Sequence, residues 1–431
     1  MKRASILTLL ACIACGAGLI DHDGIDLTSS PQLTCNGVMC VSPEHATGIC
    51  VANTCDFTCN AGFFRCASQL ACCPATALAA GGDTSCAVVD GTVQCWGSNE
   101  SGQLGFDPAD AMWSGKPVDV PGISAASAVA VGLRHACAIV GVNGDVWCWG
   151  ANDSGQLGGI NGRGPGSVPG VSKAIALALG DRHSCAAIDS GTSSSVVCWG
   201  ANDSGQLGRG TTSATELPGP VTGVSDVASI SAGSAFTCAA ASTGGNSNLY
   251  CWGDGSSGQF GNGPVPSPSP SPVVVNGVSN SSVLACGNSH ACTIGSDFWC
   301  WGNDDSGEVG DGKSGLGLIS KVSGVGNVPS PVGVAAGLAH TCAFSSSGAA
   351  FCWGANAFGQ LGTGNTLGQT KPAPVSSASG LSAVERIAAG SRHTCAQVTS
   401  GAVYCWGNNS TGQVAAPRGG TILTPRLIDG R

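Results

Sequence analysis

Charge is scarce in this chain. Only 10% of its 431 residues are Asp, Glu, Lys or Arg, and aromatic residues make up 5%. Coiled coils and helical bundles are rich in Ala, Glu, Lys, Leu and Arg, so this composition excludes both. Lys and Arg total 17 against 26 acids, a net charge of −9, and the only adjacent pair of basic residues is Lys2-Arg3. Nucleic-acid binders carry a basic footprint, which is missing here. With 42% hydrophobic residues the chain is not of the disordered class either. What abounds is glycine, 68 residues, and cysteine, 25. Glycine at that level suits many short strands joined by tight turns. So many cysteines point to an oxidising compartment.

The amino end predicts export. Lys2 and Arg3 precede an uncharged, mostly apolar stretch, Ile6 to Ile20, closed by Asp21 and Asp23. A bilayer span needs about 20 residues, so residues 1–20 are expected to be a signal peptide. Cys12 follows Leu9-Leu10-Ala11, and Cys15 follows Cys12-Ile13-Ala14. Both resemble the bacterial lipobox, which places a lipid on Cys12 or Cys15 and the protein in the cell envelope. The membrane would then be met by the lipid anchor only. An ordinary secretory signal is the alternative. Residues 21–34 are expected to be a polar tether.

Residues 35–74 hold Cys35, Cys40, Cys50, Cys55, Cys59, Cys66, Cys72 and Cys73. So short a stretch buries little core, and an even number of cysteines suits four disulfides of open connectivity. Zinc fits less well, because no Cys-x2-Cys pair is present.

From residue 75 to 431 the chain repeats. Cys-Trp-Gly begins at Cys95, Cys148, Cys198, Cys251, Cys300, Cys352 and Cys405. A partner cysteine precedes each: Cys86, Cys137, Cys185, Cys238, Cys292, Cys342 and Cys395. Five residues before each partner lies a glycine, from Gly81 to Gly390. A variant of Ser-Gly-Gln-Leu-Gly follows each Trp-Gly. In the last repeat, Val384 to Ala389, His393 to Val398 and Ala402 to Trp406 are expected strands, and a proline-containing edge segment completes the unit. A four-stranded unit with a period near 50 predicts an all-β, seven-bladed propeller preceded by the small disulfide-rich module. The seven repeat tryptophans are expected to pack between blades.

Gly180-Asp181-Arg182-His183 and Cys198-Trp199-Gly200-Ala201-Asn202-Asp203-Ser204-Gly205-Gln206-Leu207-Gly208 closely resemble the repeat of the regulator-of-chromosome-condensation family. That resemblance implies a seven-bladed propeller. It also implies a choice of roles, because some members are secreted bacterial inhibitors that bind an enzyme and others are exchange factors for small GTPases. Repeat four departs most, with Phe236 for His and Gly255 for Asn, and repeat one has Thr84 for His. Repeat one also enters without a Pro-Val edge strand before it, while the last ends with Thr424-Pro425-Arg426-Leu427-Ile428. The carboxy-terminal strand is therefore expected to complete the first blade.

Each cysteine pair is placed about a local turn, as Cys86 and Cys95 are about Asp90-Gly91. Residues facing across antiparallel strands lie within disulfide reach. One staple per blade is expected, with Cys292–Cys300 on the shortest connection and Cys286 left as a buried thiol. His135, His183, His290, His340 and His393 recur two residues before a cysteine. A structural hydrogen bond within each blade is expected in preference to a metal. Glu100, Asp153, Asp203 and Asp305 are read as turn residues. Gly307 to Ser314 fits a phosphate-loop pattern but overlies the repeat turn.

No catalytic set, cofactor site or metal site emerges. The irregular insertions remain: Phe106 to Gly115, with Met112 and Trp113 outside the repeat frame, Gly159 to Gly166, and Gly263 to Pro272. Loops on a rigid scaffold commonly carry binding. Met112 and Trp113 are the candidate partner-binding residues, and the expected partner is a protein or other macromolecule. The rival roles are an exchange factor, which conflicts with export, and a propeller glycosidase, which wants clustered carboxylates.

Overall fold

Seven times, the chain runs outward from an axis through four antiparallel strands, here a to d. In the first repeat these are Ala77–Gly81, Thr84–Val89, Thr92–Ser98 and Trp113–Asp119. In the last they are Val384–Ala389, His393–Val398, Val403–Asn408 and Thr421–Leu427. This is a computed structural model. It describes residues 34–35, 38–40, 42–52, 54–66, 71–242, 247–261, 267–321 and 328–428. The signal segment with Cys12 and Cys15, and nearly all of the tether, lie outside the described residues. Among the described residues every regular element is a strand.

Glycine sets the spacing at the axis. A Cβ on Gly180 would lie 2.4 Å from the carbonyl oxygen of Gly233 and 2.3 Å from the His183 ring. The same 2.4 Å approach separates Gly233 from Gly287, Gly287 from Gly337, and Gly337 from Gly390. Neighbouring inner strands meet shoulder to shoulder, and no larger residue fits. Farther out the blades splay apart and the tryptophans fill the gap. Trp149 sits in one cluster with Val88, Val93 and Leu104 of the preceding blade. All seven repeat tryptophans are fully buried. At the rim the d strands carry prolines, among them Pro117, Pro220, Pro374 and Pro425, which lack the N–H that a foreign strand would need.

Strands b and c place each cysteine pair in register, as Cys137 faces Cys148. Disulfides join Cys86–Cys95, Cys137–Cys148, Cys185–Cys198, Cys238–Cys251, Cys292–Cys300, Cys342–Cys352 and Cys395–Cys405. The Cα separation is 4.1 Å in each, including the short Cys292–Cys300 connection. In the amino-terminal module the pairs are Cys35–Cys50, Cys40–Cys55, Cys59–Cys72 and Cys66–Cys73. Cys286 is free and buried in the channel wall, and burial pushes its thiol up to about 12. Peptide mapping of thiol-blocked native protein should therefore find these eleven linkages. Cys286 should be alkylated only after denaturation. Predominantly interblade linkages would contradict this pattern.

The ring does not close by exchanging its last strand. The carboxy-terminal strand Thr421–Leu427 pairs with Val403–Asn408 of its own repeat, and Trp113–Asp119 completes the first blade. Each repeat starts at the axis and ends at the rim, so every blade is filled by contiguous chain. The seam between blades seven and one is closed by backbone and side-chain hydrogen bonds and by the cysteine-rich module. Ser391 N donates to Gly82 O at 2.7 Å, and Gln413 Nε2 to Asp83 Oδ1 at 2.9 Å. From the module, Gly62 N donates to Ile428 O at 2.8 Å while Gly62 O accepts from Val403 N at 3.0 Å. Gln94 of blade one reaches Arg65 O at 3.1 Å. Phe64 is fully buried in a cluster drawn from both blades, including Trp96, Val403 and Ile428. The module is thus a clasp laid across the seam.

Candidate binding face

Strands a and c run the same way, so the a–b turns and the c–d loops share one face of the ring. The insertion Phe106 to Gly115 runs through the first c–d loop into the start of strand d at Trp113, and those at Gly159 to Gly166 and Gly263 to Pro272 likewise reach from the c–d connection into strand d, although 262–266 lie outside the described residues. The described parts of all three therefore lie at this face. The repeat's Asn anchors the first of them: Asn99 Nδ2 donates to Ala111 O at 2.7 Å, and Asn99 N to Met112 O at 2.8 Å. On this fixed loop Met112 is 58% exposed and Trp113 38%. The Arg418 guanidinium of blade seven lies 5.2 Å from the Trp113 ring centroid. The patch thus spans the seam that the module clasps.

The same face carries the repeat acids. Asp153 pairs with Arg134 at 3.1 Å and Asp203 with Arg182 at 2.9 Å, each joining a c–d loop to an a–b turn. Two of the four acids read as turn residues are therefore ion-paired. Beside them a cavity of about 380 Å³ runs down the axis between the inner strands, with Leu133, Asp181, Ser234, Asn288 and Leu338 among its lining.

The histidines hold the ring together from blade to blade, not within a blade as the repeat spacing suggested. Nε2 of His135 meets Ser184 Oγ of the next blade at 2.9 Å. His183 likewise meets Thr237, His290 Thr341, His340 Thr394 and His393 Ser85. Each of the hydroxyls on Ser184, Thr237, Thr341, Thr394 and Ser85 donates in turn to a backbone carbonyl of the preceding blade, as Thr237 does to Gln206 O at 3.1 Å. The same carbonyl accepts the indole N–H of Trp252 at 2.9 Å. A hydroxyl has one proton, and the carbonyl takes it, so Nε2 carries the imidazole proton and Nδ1 is a bare acceptor. Nδ1 of His135, His183, His340 and His393 is buried and meets no donor among the described residues. Burial pushes these five rings well down, to about 3 for His135 and His340 and about 4 for His183, His290 and His393.

Two junctions lack the histidine. Thr84 precedes blade two, where the hydroxyl position is Ala136, and Phe236 precedes blade five, where it is Ala291. Partner and histidine vanish together. Thr84 turns to its own blade and donates to Ser98 O at 3.0 Å, and Phe236 packs in one cluster with Ala291. The phosphate-loop-like stretch Gly307 to Ser314 is a c–d turn in which Glu308 is buried, with no helix after it.

The model of the Regulator of chromosome condensation (RCC1) repeat matches residues 90–139, 143–187, 194–240, 246–294 and 347–397. The chain belongs to the RCC1 repeat family. A second model of that repeat matches five stretches between 126 and 413. The chain is similar to the ultraviolet-B receptor UVR8 of Arabidopsis thaliana, 30% identical over 380 residues, or 82% of this chain and 81% of that one. It shares 37% identity over 98 residues with the probable E3 ubiquitin-protein ligase HERC4 of Homo sapiens, of which it spans only 9%. Among solved structures, Prp20p of Saccharomyces cerevisiae superposes with a TM-score of 0.67 at 21% identity, covering 83% of this chain and 87% of that one. Human WBSCR16 gives 0.67 at 22%, covering 78% and 94%. At these identities the structures establish the fold. This RCC1 propeller carries an eleven-disulfide framework and a clasp at its seam.

Proposed function

We propose that this RCC1 propeller is an exported, lipid-anchored scaffold that binds a protein partner through the face of its c–d loops. The observation that carries the reading is the Met112–Trp113–Arg418 patch. An exposed Trp and Met beside an Arg is the composition that interface centres favour, and here the loop is already pinned by Asn99. A pinned loop loses little freedom on binding, which favours affinity. Among structural relatives, yeast RCC1 (Prp20) has been solved bound to Kap60 and has binding properties toward Gsp1p and histones, and a protein ligand here agrees with that pattern. Export and the anchor at Cys12 or Cys15 rest on the sequence of residues 1–20.

Site-specific photo-crosslinking in the cells of origin tests the partner. A probe at position 113 should give a discrete protein adduct, and one at Val142, exposed on the opposite face, should not. No adduct from 113, or the same adducts from both, would overturn the reading. Labelling with a fatty-acid analogue and fractionation tests the anchor. A soluble, unlabelled protein retaining Met1 would remove it.

A further inference from the structure

Repeat five alters one loop at two positions, one an Asn in five of the other six repeats and the other a Gln in all six. Asn99, Asn152, Asn202, Asn356 and Asn409 each accept from the backbone N–H five residues on, and each donates through Nδ2 to a loop carbonyl. Asp304 stands in that place, and Glu308 stands where six repeats have Gln. Their acceptor halves are kept. Asp304 Oδ1 accepts from Val309 N and Glu308 Oε2 from Ser306 N, both at 2.8 Å. The other oxygen of each replaces an NH2 donor. The two residues are only 3% and 2% exposed. An ionised carboxylate there is desolvated and offers no proton where the frame calls for one; a protonated carboxyl supplies it.

The loop also holds the next blade. Glu308 O accepts from the Trp353 indole at 2.8 Å and from Thr341 Oγ1 at 2.9 Å, the hydroxyl that meets His290. We propose that protonation of Asp304 and Glu308 latches this loop, so the seam between blades five and six tightens in acid and loosens above neutrality. Burial raises the two carboxyls to about 6 and about 7; Asp311 and Asp305 push Asp304 the same way, and Asp304 and Asp305 push Glu308. The opposing cations lie at the loop's far end: Lys313 Nζ is 3.9 Å from Asp311, and the Lys371 side chain of blade six packs against Gly312. A folded value raised above the unfolded one gives stability present at low pH and lost as pH rises through about 6 to 7.

The double variant Asp304→Asn/Glu308→Gln copies the five repeats that carry both amides and so retains the frame. Hydrogen exchange on the full-length, oxidised chain would compare it with the natural protein over residues 304–312 and the strand His340–Ser345. At about pH 5.5 the two should be equally protected, and at about pH 8.5 the variant should be protected about tenfold or more better. A protection ratio that does not change with pH would overturn the latch. Millimolar calcium erasing the difference at the higher pH would overturn it too, by assigning the loop to a cation.

Discussion

Between pH 6.5 and pH 4 the ring is expected to lose stability steeply, at about 4 kcal/mol per pH unit near pH 5. Five imidazoles, His135, His183, His290, His340 and His393, are held near 3 to 4 by burial. Unfolded, each titrates near 6.5, so the unfolded chain binds up to five more protons in this window. The histidine contribution is then complete well above pH 6.5 and falls as the pH drops toward the folded values. Asp304 and Glu308 oppose this, since their folded values are raised, and take back up to two protons. Asp203 and Glu216, lowered by their hydrogen bonds and arginine partners, add a further loss below the carboxylate range. Denaturant midpoints of the oxidised protein at pH 7, 6 and 5 measure the slope, and a flat series would refute it. The double variant His290→Phe/Thr341→Ala reproduces the Phe236–Ala291 junction. It should reduce the slope by about one proton's worth, roughly 1.4 kcal/mol per pH unit.

Phe64→Ala should cost about 3–5 kcal/mol, the range for deleting a buried phenyl ring. The ring lies 6.0 Å from that of Trp96 and in one cluster with Val403 and Ile428, so its loss empties the contact between first blade, last blade and clasp. Among the described residues no strand crosses this seam, and the disulfide-braced module spans it. Limited proteolysis should accelerate at the seam loops, including the one bearing Arg418, more than at other c–d loops. Val51→Ala, on an exposed module residue, should stay within about 0.5 kcal/mol of the natural protein. Equal stability of the two variants would show that the module is an appendage.

The blade frame was legible because it repeats. Seven Cys-Trp-Gly steps, the glycine before each hairpin and turn-centred cysteine pairs all describe contacts within about ten residues, which local spacing determines. Spacing within one repeat points the histidine bond to the wrong partner for a matching reason. In a repeat array the neighbour within a blade and the neighbour in the next blade carry the same residue types, so one repeat viewed alone cannot separate them. The two exceptions could have done so: Thr84 is followed by Ala136 and Phe236 by Ala291, one repeat later each time. The amide-to-acid changes at Asp304 and Glu308 were visible as letters, but their meaning depends on burial.

By itself, then, the sequence determined the number of blades, the strand order within each and the staple that closes each hairpin. These are short-range matters settled by turn geometry and strand register. Only the tertiary structure decided how the ring is shut and what crosses its junctions. The bonds concerned join residues tens to hundreds of positions apart, as Ser85 meets His393 and Gly62 meets Ile428. Such partners are chosen by the curvature at which seven glycine-lined inner strands come shoulder to shoulder. That packing distance is a property of the assembled ring and of no single repeat.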